Sequence, residues 1–223
     1  MNAARTTVAA FVVVGQLLLV GCATKAPAYD YSAFQRARPA TLLVLPPVNE
    51  SPDVKATPAV WAHATLPLAE AGYYVLPVTL VDETFRQNGI SSASEAQEVP
   101  YPKLREIFGA DAAVYIKITK YGTSYHVVAS ETRVDAEARI IDLRSGELLW
   151  QGKAFATSAQ QQQQGGWVGL LVGALVNQVL GTVTDAAFGY AGIADNVLLG
   201  APHYNGVLPG PRSPLYGKPP VDH

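Results

Sequence analysis

The chain has 223 residues, of which 49% are hydrophobic and only 15% charged, with a formal net charge of −2. That balance supports a large buried core and a surface poor in ion pairs. No window is dense in Lys or Arg, so the basic stripe that nucleic acid binding needs is missing and nucleic acid is not expected as a partner.

The amino-terminal stretch sets the expected location. Arg5 supplies a positive start, Val8 to Val20 a short apolar region, and Gly21 a small residue just before Cys22; this is the order of a lipoprotein signal cut ahead of its cysteine. The apolar region of about 13 residues falls short of the ~20 needed to span a bilayer. Residues 1–21 are therefore expected to be removed and Cys22 to carry the lipid. Two or three acyl chains, at about 0.8 kcal/mol per buried methylene, hold a soluble domain on a membrane durably. Ala23 stands where an aspartate would mark inner-membrane retention, so the outer membrane is the expected address, with the domain facing the periplasm or the outside. Cys22 is the only cysteine, which leaves no disulfide framework and no cysteine-based metal site. Roughly 200 residues remain after processing, enough for one substantial domain.

Residues 22–40 are rich in Ala, Pro and Tyr without periodicity and read as a flexible tether. Thr41 to Leu45 is a compact apolar run closed by Pro46-Pro47, which suits a buried strand. Thr57 before Pro58 predicts a helix start. That helix should run to Ala71 and stop at Gly72, with Pro67 a kink or break. Tyr73 to Val78 reads as a second strand. Thr79 and Asp82 have the spacing of a capping box, and Gly89 the place of a left-handed C-terminal residue. A short helix over Pro102 to Phe108 should end in the same way at Gly109.

The period then changes. Val114, Ile116 and Ile118 alternate with Tyr115, Lys117 and Thr119, and Val134, Ala136, Ala138 and Ile140 with Asp135, Glu137 and Arg139. Each set predicts a strand with one buried and one wet face. Arg144-Ser145-Gly146 suits a tight hairpin before a strand over Glu147 to Phe155, and Tyr125 to Ser130 reads as a further strand of the meander. Gln160 to Gln164 with Gly165-Gly166 forms a low-complexity joint. Trp167 to about Leu199 is apolar and rich in small residues, and Ala201 to His223 holds six prolines. The expected fold class is α/β, a mixed and partly antiparallel sheet with helices packed on it, plus C-terminal apolar helices and a Pro-rich tail. In domain terms this gives a signal peptide over 1–21, a tether over 22–40, one α/β domain over 41–200, helical from about 165, and a tail over 201–223.

Four stretches carry a family likeness: Asn49 to Val54, Pro67 to Val78, Leu104 to Ala113 and Asp142 to Gly152. In these the chain resembles a proteobacterial lipoprotein family of unknown function that includes a meningococcal surface antigen, over roughly residues 40 to 200. The resemblance implies a fold similar to the α/β domain shared by the amino-terminal part of TolB and the curli-secretion lipoprotein CsgG, and a homodimer. It supplies no catalytic residues.

The residues themselves give no enzyme signature. His63, His126, His203 and His223 lack the spacing of a helical zinc site, and neither a Gly-x-Ser-x-Gly elbow nor a phosphate-cradling glycine loop is present. No metal and no cofactor is expected, and Asp135, Glu137 and Arg139 read as solvated strand charges. Gly165, Gly169, Gly173 and Gly181 recur at multiples of four. On a helix they would share one face and allow close packing within the domain or across a dimer. The alternative is membrane insertion of the uncharged stretch 165–184, as in an oligomeric CsgG-like channel component. The expected function is non-enzymatic: a lipid-anchored module that binds other envelope proteins in a transport or secretion complex, through strand edges and close apolar packing.

Overall fold

The computed structural model describes residues 27–125, 130–159 and 185–219. Cys22, Gly165, Gly169, Gly173 and Gly181 lie outside these residues, as do the signal peptide and the stretch 165–184.

Six strands form one mixed sheet: β1 (Thr41–Val44), β2 (Val48–Asn49), β3 (Tyr74–Val75), β4 (Ala112–Tyr125), β5 (Ser130–Asp142) and β6 (Leu148–Thr157). The order is β3-β1-β4-β5-β6, with β2 also paired to β4. β1 is parallel to both β3 and β4, whereas β4, β5 and β6 run antiparallel. β1 and β2 lie in succession along one edge of β4, from Leu42 opposite Ala112 to Asn49 opposite Ile118. Pro46 and Pro47 cause the break between them, because neither has an N–H to give the ladder. The gap is filled from outside: Gln97 Nε2 donates to the carbonyls of Pro46 at 2.8 Å and Ile116 at 3.0 Å.

The described residues also form six helices: α1 (Ser32–Ala37), α2 (Ala56–Glu70), α3 (Val78–Gln87), α4 (Ala93–Glu98), α5 (Tyr101–Phe108) and α6 (Ala186–Leu199). α2 and α6 pack together on the sheet face that carries Val114, Ile116, Ile140 and Trp150, all buried. Trp61 of α2 donates its indole N–H to the Val44 carbonyl at 2.9 Å. On the other face α3, α4 and α5 cover the parallel half; Phe85 meets Phe108 at 5.2 Å, and Tyr101 meets Tyr115 edge-on at 6.3 Å.

Local sequence accounts for many boundaries. α2 stops in a Schellman arrangement, with Gly72 at φ 97° and bonds from Gly72 N to Ala69 O and Tyr73 N to Leu68 O. α3 ends likewise at Gly89, and α5 at Gly109 (φ 66°), as their glycines predict. Gly146 takes φ 74° in the β5–β6 turn, where Asp142 Oδ1 accepts from the backbone N–H groups of Arg144 and Ser145, each at 2.8 Å.

Several expectations are corrected. Pro67 does not interrupt α2, which stays helical to Glu70; it sits in the last turn and removes only one backbone bond. Thr57 does not cap that helix, since its hydroxyl donates to the Pro47 carbonyl at 3.1 Å. The capping box lies at Ser92 and Glu95 of α4, while Thr79 and Asp82 lie within α3, whose N-terminus has no side-chain cap. Tyr125 and Ser130 are the paired ends of β4 and β5, so they extend one long hairpin and do not form a separate strand.

The tether expected over 22–40 does not hold from Tyr29 onward. Tyr31 and Phe34 are buried in the core, and α1 carries them there. The proline-rich tail is also fitted to the domain, without regular structure. Gly210 N donates to Ala71 O at 2.7 Å and Arg212 N to Gly72 O at 3.0 Å, while Tyr73 and Trp150 donate to the carbonyls of Leu208 and Asn205. A Cβ on Gly210 would meet Gly72 O at 2.7 Å, so only glycine permits this approach.

Candidate interaction surface

Among the described residues, the antiparallel half of the sheet is covered on one face and open on the other. Along β5, Val134, Ala136, Ala138 and Ile140 point under α6 and are buried, while Glu137 and Arg139 face outward and are exposed. Registers align these outward residues in rows: Tyr115, Arg139 and Gln151 in one, Lys117, Glu137 and Lys153 in the next. Period-two alternation places them there, and β2 and α4 raise a wall beside them. The result is a groove of about 640 Å³ lined by Tyr115, Lys117, Glu137, Arg139, Gln151 and Lys153, with Val48 and Gln97 at its side.

Tyr115 departs from the expected alternation. It lies on the outward face yet is only 5% exposed, and its hydroxyl has no hydrogen-bond partner. Burial pushes its pKa upward, the neighbouring Tyr101 adds to the rise, and Arg139, whose guanidinium lies 5.7 Å from the ring centroid, opposes it. The phenol therefore remains a neutral donor held in the groove lining. Lys117 pairs with Glu50 at 3.1 Å at the rim. Arg139 and Lys153 have no carboxylate partner among the described residues. The surface thus combines two cations without a carboxylate partner among the described residues, one carboxylate and two amides, which suits recognition of a polar, partly anionic partner.

Among the described residues β6 forms one edge of the sheet, and Phe155 on it is 43% exposed beneath the Arg133 guanidinium at 4.5 Å. Arg133 in turn grips Asp135 at 2.6 and 3.1 Å. Of the strand charges singled out in the sequence, Asp135 is therefore engaged by its neighbour, while Glu137 and Arg139 line the groove. His63 lies between α2 and α6, its ring 4.4 Å from that of Phe188; burial, opposed by a backbone bond to Phe188, pulls its pKa down. Among the described residues no cluster of His, Cys, Asp or Glu has metal-holding geometry, and no helix is long and apolar enough to cross a membrane.

Two residues of consequence are missed in the sequence. Asp195 of α6 is fully buried and neither carboxylate oxygen has a partner; its position four after Ala191 and three before Leu198 places it on the apolar stripe, which was a readable signal. Asn205 binds the amino-terminal segment across 176 residues, accepting from Tyr29 N at 2.8 Å, and only the fold reveals that.

Among the described residues, an open mixed sheet whose antiparallel half is uncovered on one face, together with a fitted tail, defines an α/β domain of the kind that presents a surface. Residues 29–212 match the family described as "Putative lipoprotein GNA1162-like", and the chain belongs to that family. It is 46% identical over 188 residues to a lipoprotein of Neisseria meningitidis serogroup B, covering 84% of this chain and 87% of the relative. The crystal structure of lipoprotein GNA1162 from Neisseria meningitidis is similar at a TM-score of 0.54 and 47% identity, over 65% of this chain and all of that one. More remote likenesses are to dodecameric PelC from Paraburkholderia phytofirmans (TM-score 0.39, 16% identity, 60% of this chain and 78% of that one) and the C-terminal domain of LpoB from Salmonella enterica (0.38, 18%, 52% and 81%). Membership in a lipoprotein family goes with a membrane-anchored place in the cell envelope, and no enzymatic family is indicated.

Proposed function

We propose that the protein is acylated at Cys22, sits at the outer membrane facing the periplasm, and binds other envelope proteins in a transport or secretion complex without catalysing a reaction. The signal pattern ending at Cys22 supports the anchor, and the family supports an envelope lipoprotein. The observation that carries the binding role is the face of β4, β5 and β6 left uncovered among the described residues, with its groove and the cations Arg139 and Lys153. The edge of β6 offers main-chain pairing beside it. Homodimerisation through Gly165, Gly169, Gly173 and Gly181 belongs to the same reading.

A photo-crosslinking residue at Lys153 in intact cells tests the face, with Val197, exposed on α6, as the control position. Adducts to one envelope protein from Lys153 that disappear with Arg139→Glu are expected. Equal adducts from both positions would remove the role of the groove. Replacement of Cys22 by Ala should abolish palmitate incorporation, and normal labelling would refute the anchor.

A further inference from the structure

The chain leaves the described fold at Pro27, and Asn205 holds it there. Asn205 Nδ2 donates to Pro27 O at 3.0 Å, its Oδ1 accepts from Tyr29 N at 2.8 Å, and the Tyr31 hydroxyl donates to Gly206 O at 2.5 Å. Cys22 is five residues upstream, and five residues fully extended span at most about 18 Å. A lipid on Cys22 therefore keeps this end of the domain close to the bilayer, whatever path those residues take.

The same end carries a pocket of about 450 Å³ between α1 and the tail, lined by Phe34, Arg38, Tyr73, Leu208, Tyr216 and Lys218. Arg38 closes α1 at φ 45° and is exposed, and Tyr216 is 44% exposed. Two cations nearby are neutralised, Arg36 by Glu147 at 2.7 Å and Arg144 by Asp111 at 2.9 Å. Arg38, Lys218 and Arg212, the last over the Tyr74 ring at 5.7 Å, have no carboxylate partner among the described residues. Asp30, the exposed acid on the amino-terminal segment, is bonded to the Ser32 N–H.

We propose that this end of the domain seats on the membrane that holds the Cys22 lipid, with Arg38 and Lys218 receiving the phosphate of an anionic lipid headgroup at the pocket mouth. The inference rests on acylation at Cys22. At no more than about 18 Å, or two screening lengths at physiological salt (~8 Å each), the leash is short enough for the domain to settle until its unpaired cations come within one screening length of a negative membrane surface, where they are attracted. Each such cation contributes roughly a fivefold preference. Tyr216 beside them has the amphipathic ring that settles at headgroup level. The consequence is a fixed orientation, with the seat determined by α1 and the tail.

The test uses the mature acylated protein in nanodiscs of phosphatidylcholine with or without phosphatidylglycerol, following hydrogen exchange of residues 208–218 by mass spectrometry. Exchange at least about fivefold slower in the anionic discs, lost in Arg38→Glu and in Lys218→Glu but kept in Lys120→Glu on the β4 arm, is the expected result. Both seat positions are exposed, and unchanged melting temperatures in detergent confirm that the variants fold. Equal exchange in the two lipids, or slowing that survives both reversals, overturns the seat while leaving the anchor intact. Intact mass reads the acyl chains separately, and their absence would refute the anchor on which the seat depends.

Discussion

Asp195 and Asp111 show how position decides the sign of a carboxyl's contribution. Asp195 lies on the buried face of α6 with both oxygens unpartnered, and burial raises its pKa well above the usual carboxylate range. The folded protein then holds a proton that the unfolded chain releases near pH 3.9. The stability associated with that proton is complete below the unfolded pKa and declines as pH rises towards the folded one. Asp195→Asn should remove this slope, measured as urea-unfolding free energy between pH 4 and pH 8. Asp195→Leu, which leaves no unpaired polar group, should stabilise the domain at neutral pH by about 1–3 kcal/mol. A parent protein equally stable across that range would contradict the assignment.

At Asp111 partial burial pushes the carboxyl up, but the N–H groups of Ala40 and Thr41 and the Arg144 guanidinium outweigh it and hold the pKa below its ordinary value. Its stabilisation is present above the unfolded pKa and is lost as pH falls through the folded one. Asp111→Asn should therefore flatten the acid limb of the stability profile. A further single-residue test lies at Gly72, where φ 97° and the adjoining Ser213 backbone leave no room for a Cβ. Gly72→Ala should cost at least about 1 kcal/mol in denaturant unfolding.

At the scale of elements, the interruption between β1 and β2 and the docking of the tail each depend on polar groups supplied from far along the chain. Gln97 satisfies two carbonyls at the proline break. Replacing it with Leu strands both, and the expected loss is about 1–3 kcal/mol for each that water does not reach. Truncation after Gly200 would deprive the buried Tyr73 hydroxyl and Trp150 indole of their acceptors. For a domain of this size a loss of 1 kcal/mol lowers Tm by about 2–4 °C, so the truncated protein should melt at least about 5 °C lower. A tail that is cut by trypsin after Arg212 as fast as an unfolded peptide, with no change in Tm, would show that these contacts contribute nothing.

For the whole molecule, stability should be graded outward from the centre of the sheet. β4 between Ala112 and Ile118 is flanked by β1, β2 and β5 and, apart from Lys117, buried, whereas Tyr125 at the hairpin end is 85% exposed. Amide exchange should be slowest over Ala112–Ile118 and Val134–Ile141 and fastest towards Tyr125 and Ser130. The same gradient frames function, because the proposed binding face sits on the rigid half of the sheet and the membrane seat on α1 and the tail.

The sequence by itself determined the elements whose signals are local. Period-two alternation marked β4 and β5 because a strand presents successive side chains to opposite faces, and glycines marked the ends of α2, α3 and α5 because only glycine takes positive φ without steric cost. The four family stretches and the lipoprotein pattern were legible for the same reason, being contiguous. What only the tertiary structure decided depends on residues distant in the chain. Tyr31 and Phe34 lack any periodicity that would announce a helix, and they are buried because the tail and β6 make a site for them. Asn205 carries no local signal in the sequence, and its role follows only from Pro27 and Tyr29 lying beside it. Which face of β4, β5 and β6 stays open follows from where α6 lands, and no single strand records that. Long-range contacts of this kind are set by packing of the assembled chain, and local composition has no means of specifying them.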